Sequence, residues 1–213
     1  MMKHPTNIAD RAIGHVDKAL RILNGVSRSE RQNPATDTPE ADLTDQQKTE
    51  AGRLMRVNHC GEICAQALYL GQGLTSRDRR VKASMAEAAR EEIDHLAWCE
   101  ERLEELDTRT SHLNPLFYAL SFTGGAISGL LGNRVNLGFV AATEEQVVKH
   151  LDEHIDRLPE ADERSRKILL QMKKDEDHHR TTALDHGGAD FPRPVKSLMT
   201  TLSRVMTRTT YWV

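Results

Sequence analysis

Apolar positions along this chain recur at intervals of three and four residues, the spacing of one face of a helix, in almost every stretch between turn signals. In Thr6–Val26 the set Ile8, Ala12, Ile13, Val16, Leu20 and Leu23 keeps that spacing, and Asn24-Gly25 supplies a stop. A short amphipathic helix is predicted there. The next stretch, "SRSERQNPATDTPEAD", is polar with two prolines and reads as a linker. A long helical pattern runs from Leu43 to Gly73. A second, from Arg77 to Leu106, has neither Gly nor Pro and repeats Val81, Met85, Ala88, Ile93, Leu96 and Leu103.

The character then changes. His112–Thr143 contains one charge, Arg134, and is interrupted by Gly124, Gly125, Gly129 and Gly132. It reads as an apolar crossover hairpin, too broken for a transmembrane span. Helical spacing resumes at Val135 and runs to Leu158, where Pro159 ends it. Another helix covers Asp162–His186 and stops at Gly187-Gly188. The tail from Phe191 has four basic residues and no acid, with Val195, Leu198, Met199, Leu202, Val205 and Met206 at helical spacing. Such a basic amphipathic helix suits an anionic membrane surface or partner helix, or docks on its own domain; both readings stay open.

The predicted fold is therefore all-α. Four long helices fall into two pairs around the apolar segment, with short helices at the two ends. Residues 1–42 form the N-terminal helix and linker, 43–190 the bundle with its apolar segment 112–143, and 191–213 the tail. Composition agrees with this: 29% of the 213 residues are charged and only 4% aromatic, a helix-favouring mixture. The net charge of −3 gives no basic field for nucleic acid. Cys60, Cys64 and Cys99 make no even framework, and the start "MMKHPTNIAD" lacks an apolar core, so a reducing cytoplasm is expected. Cys60 and Cys64 stand beside His59, but no second cysteine pair completes a zinc set, and buried helical cysteines are the better reading.

The chemistry lies in a repeat. Glu92 and His95 form a Glu-x-x-His, and so do Glu176 and His179, 84 residues on. Glu62 precedes the first pair by 30 residues, and Glu144 precedes the second by 32. Each half is thus a helix with one Glu, a turn, and a helix with Glu-x-x-His. Residues three apart lie about 60° apart on a helix face, so one metal can take both side chains. Packed together, the halves place four Glu and two His inside one bundle. Four unpaired carboxylates there would be very costly, and two multivalent cations would remove the cost. This constellation belongs to di-iron and di-manganese carboxylate bundles, and its mixed ligation with open positions suits iron and O2 chemistry. Spacing alone leaves Glu144 and Glu145 undecided. The acids preceding the motif, Glu91 and Asp175, are candidates to accept hydrogen bonds from the ligand imidazoles, Asp175 from His95 and Glu91 from His179.

The stretches "LMRVNHCGEICAQALYLGQ", "EEIDHLAWCEERL", "NPLFYALSFTGGAISGLLG", "VNLGFVAATEEQVVKHLDEHI" and "DEDHHRTTALDHGG" resemble the demethoxyubiquinone hydroxylase family of ubiquinone biosynthesis, in order from Leu54 to the C-terminus. The resemblance implies a ferritin-like bundle and a di-iron monooxygenase that hydroxylates the ring of a polyprenyl demethoxyubiquinol with O2. It implies two Fe ions per chain held by Glu62, Glu92, His95, Glu144, Glu176 and His179. Glu92 and Glu176 would bridge, and His150 would stand near the site. Electrons would come from NADH. The protein would be peripheral on the cytoplasmic face of the cell membrane, with Asn114–Ala142 dipping into the bilayer and other biosynthetic proteins as possible partners. Leu151 stands where animal members have Tyr, so a role for that Tyr does not carry over. Two rivals share the fold: an iron-storage or ferroxidase protein, and a non-catalytic lipid-binding scaffold.

Overall fold

A computed structural model describes residues 8–25 and 29–213. Thr6, Asn7, Val26, Ser27 and Arg28, which the predicted helix and linker include, lie outside the described residues, as do the side chains of Ile8 and Ala12. The described chain is all-helical: α1 (Ile8–Leu23), α2 (Asp45–Thr75), α3 (Arg79–Glu105), α4 (Asn114–Leu130), α5 (Asn133–Arg157), α6 (Glu163–Asp185) and α7 (Arg193–Trp212).

The long helices start where polar side chains satisfy their free amides. Thr44 caps α2 in a reciprocal box with Gln47. The Asp78 carboxylate accepts from the amides of Arg80 and Val81 at the start of α3, and Asp162 accepts from the Ser165 amide at the start of α6.

Helices α2, α3, α5 and α6 form the bundle. His59 meets Glu100, and Gln66 donates to the Ala89 carbonyl, so α2 and α3 run antiparallel. Lys173 meets Asp152, and Arg166 donates to the Ile155 carbonyl, so α5 and α6 do too. One apolar core packs Leu54, Met55, Trp98, Leu103, Leu151, Leu169 and Met172 toward one end. A second packs Tyr69, Met85, Leu137, Val140 and Ala183 toward the other. Each fully buried Leu or Ile contributes about 1.5–3 kcal/mol. The polar layer containing the Glu-x-x-His pairs lies between these cores.

Because α3 and α5 run in the same direction, the chain must return the length of the bundle between them. Helix α4 makes that return along α2. Three of the glycines that argued for a broken segment, Gly124, Gly125 and Gly129, lie within one continuous helix, and Gly125 and Gly129 face α2; Gly132, at φ 98°, makes the turn into α5. A Cβ at Gly125 would lie 2.2 Å from the Leu68 carbonyl oxygen, and one at Gly71 would lie 2.2 Å from that of Phe122. Two helices approach this closely only through glycine. Gly125→Ala is expected to force α4 off α2, destabilising by about 1–3 kcal/mol, and thus to lower the thermal midpoint by several degrees. A Cβ at neighbouring Gly124 would meet nothing within 4 Å. Gly124→Ala is expected to be neutral or stabilising, since a helical Gly costs about 1 kcal/mol relative to Ala. Equal melting temperatures for the two variants would overturn this account.

The outer face of α4 exposes Leu116, Leu120, Ile127 and Leu130, and α1 exposes Ile13, Val16 and Leu20. No helix among the described residues is long and apolar enough to cross a membrane. Helix α7 docks through its polar side: Lys196 on Glu145, Thr200 on Gln146, and buried Thr210 against Cys60 Sγ. Its apolar stripe of Val195, Leu198, Leu202 and Val205 faces outward.

Residues 29–44 carry no regular element before the α2 cap, yet they are fastened to the bundle. Ala35 is fully buried, and Glu40 pairs with Arg102 through both carboxylate oxygens. His59 and Cys60 diverge. His59 turns to Glu100 on α3, whereas Cys60 faces Thr210 on α7, and all three thiols are free.

Candidate metal centre

Each bundle helix delivers side chains to one buried layer: Glu62 from α2, Glu92 and His95 from α3, Glu144 from α5, and Glu176 and His179 from α6. All six are less than one-tenth exposed. Ligand atoms of Glu62, Glu92, His95 and Glu176 lie within 4.8 Å of one another. Nδ1 of His95 is 3.1 Å from Glu92 Oε2, 3.1 Å from Glu176 Oε1 and 3.5 Å from Glu62 Oε2. Nδ1 of His179 is 3.3 Å from Glu92 Oε1 and 3.4 Å from Glu176 Oε2. Glu92 and Glu176 thus each turn one oxygen to each histidine. Glu144 completes the His179 side. One oxygen, Oε1, accepts from the Tyr69 hydroxyl at 2.5 Å.

The outer ring nitrogens are also engaged. His95 Nε2 lies 3.0 Å from Asp175 Oδ2, and His179 Nε2 lies 2.7 Å from Glu91 Oε2. These contacts turn both Nδ1 atoms inward.

Burial pushes the carboxyls of Glu62 and Glu144 well up, and neighbouring carboxylates add to the effect, Glu92 for Glu62 and Glu176 for Glu144. Burial acts the same way on Glu92, but the facing imidazoles of His179 and His95 outweigh it and hold its carboxyl well below the usual range. Burial opposes charging of His179, yet Glu176 and Glu92 push it up to about 12. His95 is raised well above its ordinary value against the same burial cost, chiefly by Asp175 and Glu176. Glu62 Oε2, Glu92 Oε1, Glu144 Oε2, both Glu176 oxygens and His179 Nδ1 are buried without a hydrogen-bond partner. Such orphaned acceptors are rare in protein interiors, and metal ions between the two histidines would satisfy all of them.

His150 lies outside this layer. Its ring lies 3.8 Å from that of His154 and is tilted by 59° to it, and Nδ1 of His154 is 2.8 Å from Asn58 Oδ1. Burial, helped by Arg157, lowers His150 to about 4. Burial, with His150 and Arg157, holds His154 well below its usual value. An unfolded histidine protonates near 6.5. Between about 6.5 and about 4 the unfolded chain therefore binds more protons than the folded one, and stability falls as pH falls through that window. His150→Gln is expected to flatten this loss, so that denaturant midpoints of variant and wild type diverge below about pH 6.5. Parallel midpoints down to pH 4 would refute it.

Two contributors escaped the sequence reading. Tyr69 follows Glu62 by seven residues, two turns along the same face of α2, and that spacing was the available signal. Trp98, whose ring lies 5.4 Å from that of His95, follows His95 by three.

A family model described as ubiquinone biosynthesis protein COQ7 matches residues 49–210. A 3-demethoxyubiquinol 3-hydroxylase of Azotobacter vinelandii is 56% identical over 203 residues, covering 95% of this chain and 94% of that protein. One of Chromohalobacter salexigens is 52% identical over 211 residues, covering 99% of both. One of Acinetobacter baumannii is 52% identical over 213 residues, covering the whole of both.

Proposed function

Since this chain belongs to the ubiquinone biosynthesis protein COQ7 family, we propose that it is a 3-demethoxyubiquinol 3-hydroxylase, an O2-dependent di-iron monooxygenase acting on a polyprenyl quinol. The observation that carries this reading is the placement of Glu92 and Glu176, each with one oxygen toward each histidine. In this reading Glu62 and His95 hold one iron, Glu144 and His179 hold the other, and Glu92 and Glu176 bridge. The two irons would supply O2 activation, and NADH would supply the electrons.

The protein's own groups do the rest. Asp175 and Glu91 hold the imidazoles in the orientation that presents Nδ1. Tyr69 donates to one oxygen of Glu144 and leaves the other free for a metal. The flanking apolar cores keep bulk water from the layer. A cavity of about 500 Å³ between α1, α2 and α3 has apolar walls that include Ile22, Leu70, Leu74, Met85 and Ile93, with Lys18, Arg21, Lys82 and Arg90 also in its lining. Its chemistry suits a quinol ring and the first units of a prenyl tail. The outward apolar faces of α1 and α4 flank it and would rest on the membrane surface from which such a substrate comes. The bundle 43–190 would then be the catalytic unit, fastened by residues 29–42 and flanked by the tail 191–213.

The test is turnover. Purified protein loaded with Fe(II) is given NADH, O2 and a short-tailed demethoxyubiquinone. A product heavier by one oxygen, detected by mass spectrometry, is expected. Two bound irons without product, given these reductants, would favour iron storage over hydroxylation.

A further inference from the structure

The two halves of the centre have matching ligands, but their surroundings differ. The difference comes from the segment before α2. Asp94, one residue before His95, anchors that segment: its Oδ1 accepts from Ser29 Oγ at 2.8 Å and the Glu30 amide at 2.7 Å, and its Oδ2 accepts from Arg31 Nε at 2.6 Å. Arg31 then extends Nη1 to Asp175 Oδ2, 2.8 Å away. That same oxygen lies 3.0 Å from His95 Nε2. The guanidinium also sits 4.8 Å over the ring of Trp98, which packs against His95. Arg31 thus ties α3 to α6 behind His95 and reaches that imidazole through both Asp175 and Trp98. Asp175 is held on its other oxygen as well, by Gln171 Nε2 at 2.8 Å.

Among the described residues the His179 side has no counterpart. Glu91, the acceptor for His179, is 38% exposed, and among the described residues no cation pairs with it.

We infer that Arg31 is a positioning residue that makes the two metal positions inequivalent. It fixes Asp175 and draws charge from it, so His95 is a more rigid and less electron-rich ligand than His179. The physical basis is general: outer partners of a ligand imidazole set its orientation and basicity, and with them the metal it holds. The inference rests on the di-iron reading of the site.

The test is Mössbauer spectroscopy of the whole protein loaded anaerobically with isotopically enriched Fe(II). Two quadrupole doublets of equal area are expected for the wild type. Arg31→Gln should shift one doublet and leave the other in place. Glu91→Gln should shift the other. Arg31→Lys, which keeps a charge at Asp175 without the fork, should restore most of the shift. Asn33→Ala removes a different fastening of the same segment, the bond to Glu101, and should move neither doublet. If Arg31→Gln leaves both doublets in place, or if both move together and Asn33→Ala does the same, the inference falls and the centre stands. If the wild type takes up no pair of irons, the di-iron reading falls and takes this inference with it.

Discussion

Glu176→Ala abolishes both metal binding and hydroxylation in the expected result, while the far-UV circular dichroism stays helical. Glu176 Oε1 is 3.1 Å from His95 Nδ1, and Oε2 is 3.4 Å from His179 Nδ1. Removing this side chain takes one ligand from each half at once. Glu62 reaches only the His95 half, so Glu62→Ala should retain metal at the His179 half and lose it at the other. Iron content per chain distinguishes the two variants directly. A second readout needs no turnover. Fe(II) that binds only the folded state raises the thermal midpoint with concentration, and that rise should vanish in Glu176→Ala. The fold survives because α6 is capped by Asp162 and packed through Ile168, Leu169 and Met172, none of which touches Glu176's role. Retained turnover in Glu176→Ala would sink the assignment of the site.

Arg102→Ala should cost more stability than Gly125→Ala, about 3–5 kcal/mol, the penalty for leaving a buried charge without its partner. Arg102 is fully buried. It donates to Asp162 Oδ1 at 2.9 Å and to Ser165 Oγ at 2.9 Å, and pairs with Glu40 and Glu105. Asp162 is 1% exposed. Without the guanidinium it becomes a lone buried carboxylate that must also cap α6. Glu40 is 45% exposed in its side chain, so its share of the cost is small. The measurement is guanidinium unfolding, where the midpoint should fall at an unchanged slope. Arg102→Lys should recover only part of the loss, because an ammonium cannot address four partners at once. A midpoint within experimental error of wild type would show that solvent reaches Asp162 and that the network is not a buried one.

The all-α class and the boundaries of the long helices were legible in the sequence, because each depends on local signals. Apolar spacing sets the face. Thr44, Asp78 and Asp162 cap the starts, and Pro159 and the glycine pair at 187 and 188 mark ends. The candidate ligand positions were legible for the same reason. A Glu and a His three apart share a helix face whatever surrounds them, and the internal repeat matched one half to the other.

Other features depended on contacts between segments distant in the chain. Gly124, Gly125, Gly129 and Gly132 all read as interruptions, and Gly132 is one, but sequence cannot distinguish a turn from a helix pressed against its neighbour; only the approach of Leu68 to Gly125 shows that α4 runs on through the other three. The stretch after α1 read as a linker, since its prolines and polar residues give no sign that Arg31 meets Asp175, 144 residues away. Tail residues Val195–Met206 announced an amphipathic helix, but not that its polar side would take the bundle and its apolar side the exterior. Tyr69 and Trp98 carried no motif. The sequence alone determined which residues share a face, because that is a property of the helix. The tertiary structure decided which faces meet, because that depends on how the chain returns along α4 and on which buried polar groups find partners.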